Sequence, residues 1–215
     1  SNGAITIGNA GTLTGAARFD SGTATTVLSS TFDCGAFAFE IDGDEIDFAA
    51  NVSGTGSLRL QPGSTGAAMQ LGGAGIAANR LDLTPTDLAY LQPGFSQVTF
   101  GRADSNGAVT ISAVTFPQPT TIRAGSVALT VSGPVSTSNH LTLVSGSGGI
   151  ALNAGVTVTG NELTLNTGGA VTQTSALAAS GLELLGTGSY ALTVAANDVD
   201  TLAGDLDGSV DFADA

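Results

Sequence analysis

Five carboxylates crowd into one stretch of this chain, Glu40-Ile41-Asp42-Gly43-Asp44-Glu45-Ile46-Asp47, and no other stretch is as dense in potential ligands. Alternation puts Glu40 and Asp42 on one outer face, with Asp44, Glu45 and Asp47 around the turn at Gly43. Calcium takes six to eight oxygens and tolerates irregular geometry, so Glu40, Asp42, Asp44, Glu45 and Asp47 form a candidate calcium site. The competing expectation is a solvated acidic turn, the commoner fate of such a run. The closing Glu of an EF-hand loop is missing at its offset, and no nonapeptide calcium repeat recurs. Asp104-Ser105-Asn106-Gly107 and Asp205-Leu206-Asp207-Gly208 are smaller fragments of the same kind.

The rest of the chemistry is sparse. There is one histidine, His140, and one cysteine, Cys34, so no zinc ligand set can be assembled from them and no disulfide can close within the chain. No Ser-His-Asp arrangement is legible, and His140 is expected on an outward strand position. Polysaccharide-cleaving enzymes need either a Lys or Arg base with acidic calcium ligands, or paired carboxylates in a cleft. Lysine is absent and the five arginines are dispersed, so no catalytic residue is assigned and no enzymatic activity is expected. No cofactor other than the candidate calcium is implied. The pairs Thr12/Thr14, Thr23/Thr25, Thr157/Thr159 and Thr172/Thr174 would pattern water or carbohydrate if they shared a face. Their spacing follows no common period, and outward Thr is ordinary on a strand.

The elements that must carry these residues are set by a repeat. Asn-x-Leu-x-Leu occurs at residues 79–83, 139–143 and 161–165, with looser echoes at Leu58/Leu60 and Leu182/Leu184, giving a period of 20 to 22 residues. Arg59, Arg80, Arg102 and Arg123 keep the same measure, and Arg18 lies two periods before Arg59. Arg18/Asp20, Arg80/Asp82 and Arg102/Asp104 are spaced to pair on an outer face, as a charge ladder holding coils in register. Asn79, Asn139 and Asn161 suit coil corners, with stacked amides bonding along the axis.

Between these landmarks run short apolar-polar alternations of three to five residues closed by Gly, Ser, Asn or Asp. They are too short for independent hairpins, so the expected fold is all-β: a parallel β-solenoid of roughly ten coils, one domain over residues 1–215. Two stretches interrupt it. Thr84-Pro85-Thr86-Asp87 opens a helix of one or two turns ending before Pro93, and residues 197–204 suggest a second. With 31 Gly, no Trp and a formal charge of −13, the core is thin and the surface acidic. That charge excludes nucleic acid and anionic membranes as partners, and the uncharged stretch 124–161 is too polar to insert into a bilayer.

The run from Asn79-Arg80-Leu81-Asp82-Leu83-Thr84-Pro85, through Gln92-Pro93-Gly94, to Val109-Thr110-Ile111 resembles a recurrent segment of filamentous-haemagglutinin-like bacterial exoproteins of the two-partner-secretion type. Residues 192–215 resemble another. The resemblance implies a right-handed parallel β-helix, export to the cell surface or medium, and a role as stalk or adhesive shaft. The implied partners are other copies or flanking coils, and a host or neighbouring-cell surface or its carbohydrate. The family's secretion module is not seen, and the chain begins without an initiator Met, so a piece of a longer protein is expected. The alternative is a carbohydrate-active or carbohydrate-binding β-helix module.

Overall fold

A computed structural model describes residues 3–75 and 77–215; Ser1, Asn2 and Ile76 lie outside the described residues. The chain winds as a parallel β-solenoid of about ten turns, with a single short helix among the described residues. Each regular coil lays down three strands on three faces. In the coil beginning at Leu141 these are Leu141–Ser145, Ile150–Leu152 and the first residues of Val156–Thr167. Every strand pairs in parallel with its counterpart one coil away, so the backbone hydrogen bonds run along the solenoid axis.

Alternation then places the core. On the first face Leu58, Val98, Thr120, Leu141, Leu163 and Leu182 stack in one inward column, and Leu60, Phe100, Ile122, Leu143, Leu165 and Leu184 in the next. All are buried. The buried apolar residues form one continuous cluster from Leu28 to Val199. Aromatic packing is densest in the N-terminal coils, where Phe32 stacks on Phe39 at 5.1 Å and Phe19 meets both edge-on, and Phe100 packs against Phe116 at 5.7 Å further along.

Several strands are longer than expected. Ala17–Leu28, Phe39–Phe48, Val156–Thr167, Leu177–Gly186 and Asp198–Leu206 each run across a corner from one face to the next. The period-two pattern breaks there because the corner is a bulge, with register shifts around Gly22 and between Val158 and Glu162. Gly22 and Gly160 supply the positive φ, at 59° and 69°.

Residues 197–204 are a correction: they form no helix but open Asp198–Leu206, paired with Leu177–Gly186. A helix there would leave the preceding coil's edge unpaired. The turn is instead held by Asn197, which is fully buried. Its Oδ1 accepts from the Leu177 amide at 3.0 Å and its Nδ2 donates to Leu192 O at 3.1 Å and Ala213 O at 2.9 Å. One amide side chain thus ties three coils together.

The 79–83 repeat is also corrected. On the first face successive rungs begin at Ala17, Phe39, Leu58, Val98, Thr120, Leu141, Leu163, Leu182 and Leu202, and the step from Leu58 to Val98 is twice the usual length. That double-length coil holds two second-face strands, Ala68–Leu71 and Arg80–Leu83, paired to each other. Arg80–Leu83 therefore belongs to a different face from residues 139–143 and 161–165. Asn79 does adopt the left-handed conformation, φ 57°, alone among described non-glycine residues. Asn139 and Asn161 do not, and no amide ladder joins them: Asn161 Nδ2 donates to the Ser138 carbonyl at 2.7 Å.

The helix expected after Thr84 is present as Pro85–Tyr90, with Pro at its start and a capping box between Thr84 and Asp87.

Replacing Asn197 by Leu should destabilise the fold by about 2–3 kcal/mol, since it strands several buried backbone groups. Thermal unfolding followed by circular dichroism measures this, and a variant as stable as the parent would show that the clamp is dispensable.

Candidate functional site

The five candidate calcium ligands are divided by the fold. Glu40 points outward on the first face, in register between Arg18 and Arg59 of the neighbouring coils. Its Oε1 lies 3.1 Å from Arg18 Nε and its Oε2 3.9 Å from Arg59 Nε. Asp42, almost wholly buried, accepts from Arg18 Nε at 2.8 Å and also from Arg18 Nη2. Asp44 sits at the corner, accepting the Ser64 amide at 3.1 Å. Glu45 and Asp47 lie past the corner, on the second face. Two ligands are thus committed to arginine and a third to a backbone amide. Among the described residues no three His, Cys, Asp or Glu side chains are arranged to hold a metal ion.

Glu45 and Asp47 face a second acidic group that the sequence did not bring together. Arg80–Leu83 ends the second-face sheet next to the strand carrying Glu45, without pairing to it. The helix N-terminus seals the junction, and Asp87 Oδ1 accepts the Phe48 amide at 3.0 Å. Asp87 Oδ2 meanwhile accepts from the Thr84 amide at 2.9 Å. Asp82 is held by Arg80 Nε at 2.7 Å and by the Ala77 amide at 2.8 Å. The expected Arg80/Asp82 pair exists, but Asp82 is buried, on a strand packed against the one that carries Glu45.

Burial pushes the Glu45 carboxyl up to about 8, with the charges of Asp47, Asp82 and Asp87 adding to the effect. Asp47 is raised as well, by burial first and then by Asp87. Both Glu45 oxygens are buried without a hydrogen-bond partner. Glu45 is therefore largely a neutral acid at neutral pH. Chemically this is a wedge filled by carboxyl groups between two sheets that do not pair.

The remaining expectations divide. Arg102 and Asp104 form a bidentate pair at 2.6 and 2.9 Å, and Arg18 reaches Asp20 at 3.3 Å. The arginines do not form one column: Arg18, Glu40 and Arg59 alternate on the first face, Arg80 lies on the second, and Arg123 stands beside Gly101. His140 is exposed, as expected, but precedes the strand Leu141–Ser145 instead of lying on it. Cys34 is buried, and its thiol is pushed up to about 12 by burial and the neighbouring Asp33 charge, so it is a poor nucleophile.

Hydroxyl columns are present, though Thr157 alone of the expected threonines takes part in them. Thr99, Thr121, Thr142 and Thr164 are neighbours on four successive coils of the first face. On the third face Thr115, Ser136 and Thr157 align, with the first two hydroxyls 2.7 Å apart. The signal was a Thr recurring every 21 or 22 residues at the centre of a strand.

No family model, curated protein or solved structure matches the chain. The fold defines the class as a parallel β-solenoid of about ten turns. Among the described residues no helix is long and apolar enough to cross a membrane.

Because Glu45 binds its proton more tightly when folded than at its ordinary value near 4.5, its contribution is fully present below about 4.5 and is lost as pH rises through about 8. Glu45→Gln should flatten that part of the stability profile and raise the melting midpoint above pH 8, by ~2–4 °C for each kcal/mol recovered. Parallel profiles for parent and variant would contradict the burial of this carboxyl.

Proposed function

We propose that this chain is a rigid structural segment of a secreted or cell-surface filamentous exoprotein, serving as an adhesive shaft and not as an enzyme. The observation that carries this reading is the unbroken parallel stack of about ten turns with one continuous buried core along its axis. The first rungs on the three faces are Ile5–Ile7, Gly11–Thr12 and the start of Ala17–Leu28; the last are Val210–Phe212 and the two halves of Asp198–Leu206. Each of these rungs is paired on one side only. Inward-type residues at the final rung are uncovered, with Leu202 and Val210 exposed by 43% and 42%.

Further coils stacked on the last rung would extend all three sheets in the same way that each coil extends the one before it. Such an interface is heterologous and does not close, which builds a shaft. About ten turns at ~4.8 Å per rung make each segment on the order of 50 Å long. The natural partners are other copies or flanking coils of the same protein. The resemblance of residues 79–111 and 192–215 to filamentous-haemagglutinin-like exoproteins supports export and adhesion. The half-buried hydroxyls of Thr99, Thr121 and Thr142, aligned on successive coils, favour one further role, a carbohydrate-binding face on the same shaft.

The last rungs carry Asp198, Asp200, Asp205, Asp207, Asp211 and Asp214 and no basic residue. End-to-end association should therefore strengthen as salt screens these charges. Analytical ultracentrifugation at rising ionic strength is expected to show linear oligomers, with filaments one solenoid wide in electron micrographs, and Leu202→Lys with Val210→Lys should abolish them. A parent that stays monomeric at every salt concentration would count against the shaft. Release of oligosaccharides from acidic or neutral polysaccharides would instead establish an enzyme.

A further inference from the structure

The double-length coil leaves a gap one strand wide on the third face. Between the second-face rungs at Glu45–Phe48 level and Val109–Ile111 the chain inserts two strands, Ala68–Leu71 and Arg80–Leu83. Over the same height the third face receives a single bridging residue, Leu91, paired with Val52. The Gln92 amide donates downward too, to Val52 O at 2.9 Å. Above it, Val114–Phe116 pairs upward with Val135–Thr137 and ends its sheet; its lower edge has no partner strand. One face is a rung short, and the helix Pro85–Tyr90 stands beside the vacancy.

The vacancy is an apolar slot of about 410 Å³. Its helix side is formed by Leu88, Ala89 and Leu91, and its strand side by Val114, Thr115 and Pro117. No charged side chain lines it. Within a strand, successive residues turn their backbone groups to opposite edges. The Val114 amide donates upward to Pro134 O at 3.0 Å, so the N–H and C=O of Thr115 face down into the slot. Thr115 and Ala89 are both exposed.

We infer that this slot receives an extended peptide strand from a partner protein, which adds to the lower edge of Val114–Phe116 and supplies the missing rung. A strand is the occupant that fits, for three reasons. The gap has the height of one rung, flanked by paired sheet on the same face above and below. A small apolar molecule would fill the volume and leave the Thr115 backbone groups without partners, whereas a strand satisfies them and inserts alternate side chains between helix and sheet. The surrounding chain has a formal charge of −13, so the favoured strand is neutral and apolar at its centre and basic at its ends. The slot is internal to the stack and independent of its ends.

The test uses the whole chain and a fluorescent seven-residue probe, Lys-Val-Thr-Val-Thr-Val-Lys, with blocked termini, followed by anisotropy. Saturable binding is expected, weakened at least about tenfold by N-methylation of alternate probe amides and by Thr115→Pro, which removes the downward N–H and leaves the upward pairing intact. Ala89→Arg fills the opposite wall from an exposed helix position and should weaken binding likewise; it serves if the proline variant does not fold. The inference is overturned if the probe fails to saturate at millimolar concentration, if the N-methylated probe binds equally well, or if Ala89→Arg has no effect.

Discussion

Every coil must come back to the same phase, because the backbone groups of its strands are satisfied mainly by the coils before and after it. Hydrogen bonds run along the axis, from Val98–Thr120 through Thr120–Leu141 to Leu141–Leu163, and side chains serve mainly to keep those rungs in line. Coil length can therefore vary only at corners, where a bulge or a glycine absorbs the difference. The core is one continuous cluster in which inward side chains stack along the axis and meet those of the other faces. Stability in such a stack is a sum of neighbour-to-neighbour terms.

Charge follows the same constraint. Arg18, Glu40 and Arg59 stand in one column, each bonded to the next coil, and Asp42 takes a second bond from Arg18. These carboxylates hold neighbouring coils in register. Where the column ends and the double-length coil begins, the sheet of the second face breaks between Phe48 and Arg80–Leu83, and carboxyl groups fill the seam. Asp87 replaces a missing strand partner by accepting the Phe48 amide. Glu45 accommodates its burial by keeping a proton.

The interruption shows how one insertion serves two faces differently. The second face gains a strand, and the third keeps a slot beside the helix that begins at Pro85. Local signals announced the helix clearly, since Thr84, Pro85 and Asp87 form a cap that needs nothing from the rest of the chain. They gave no hint that Arg80–Leu83 would pair beneath an earlier strand, because Asn-x-Leu-x-Leu looks alike on any face. The arginine comb misled for the same reason: equal sequence spacing means a shared column only when the coils between are of equal length.

Solenoid class, parallel strands and approximate coil number were determined by sequence alone, through a period near 21 residues and strict alternation of Leu, Val and Ile. Periodicity survives in a single chain because each coil repeats the same local problem. The threonine column at 99, 121, 142 and 164 lay in the same period and was legible once strand centres were aligned. Tertiary structure decided the rest: that residues 198–206 are a strand, that Glu40 and Glu45 part company at a corner, that Asp82 is buried, and that one face lacks a rung. Those outcomes depend on which coil lies above and below, and stacking order over tens of residues leaves no mark in any local pattern.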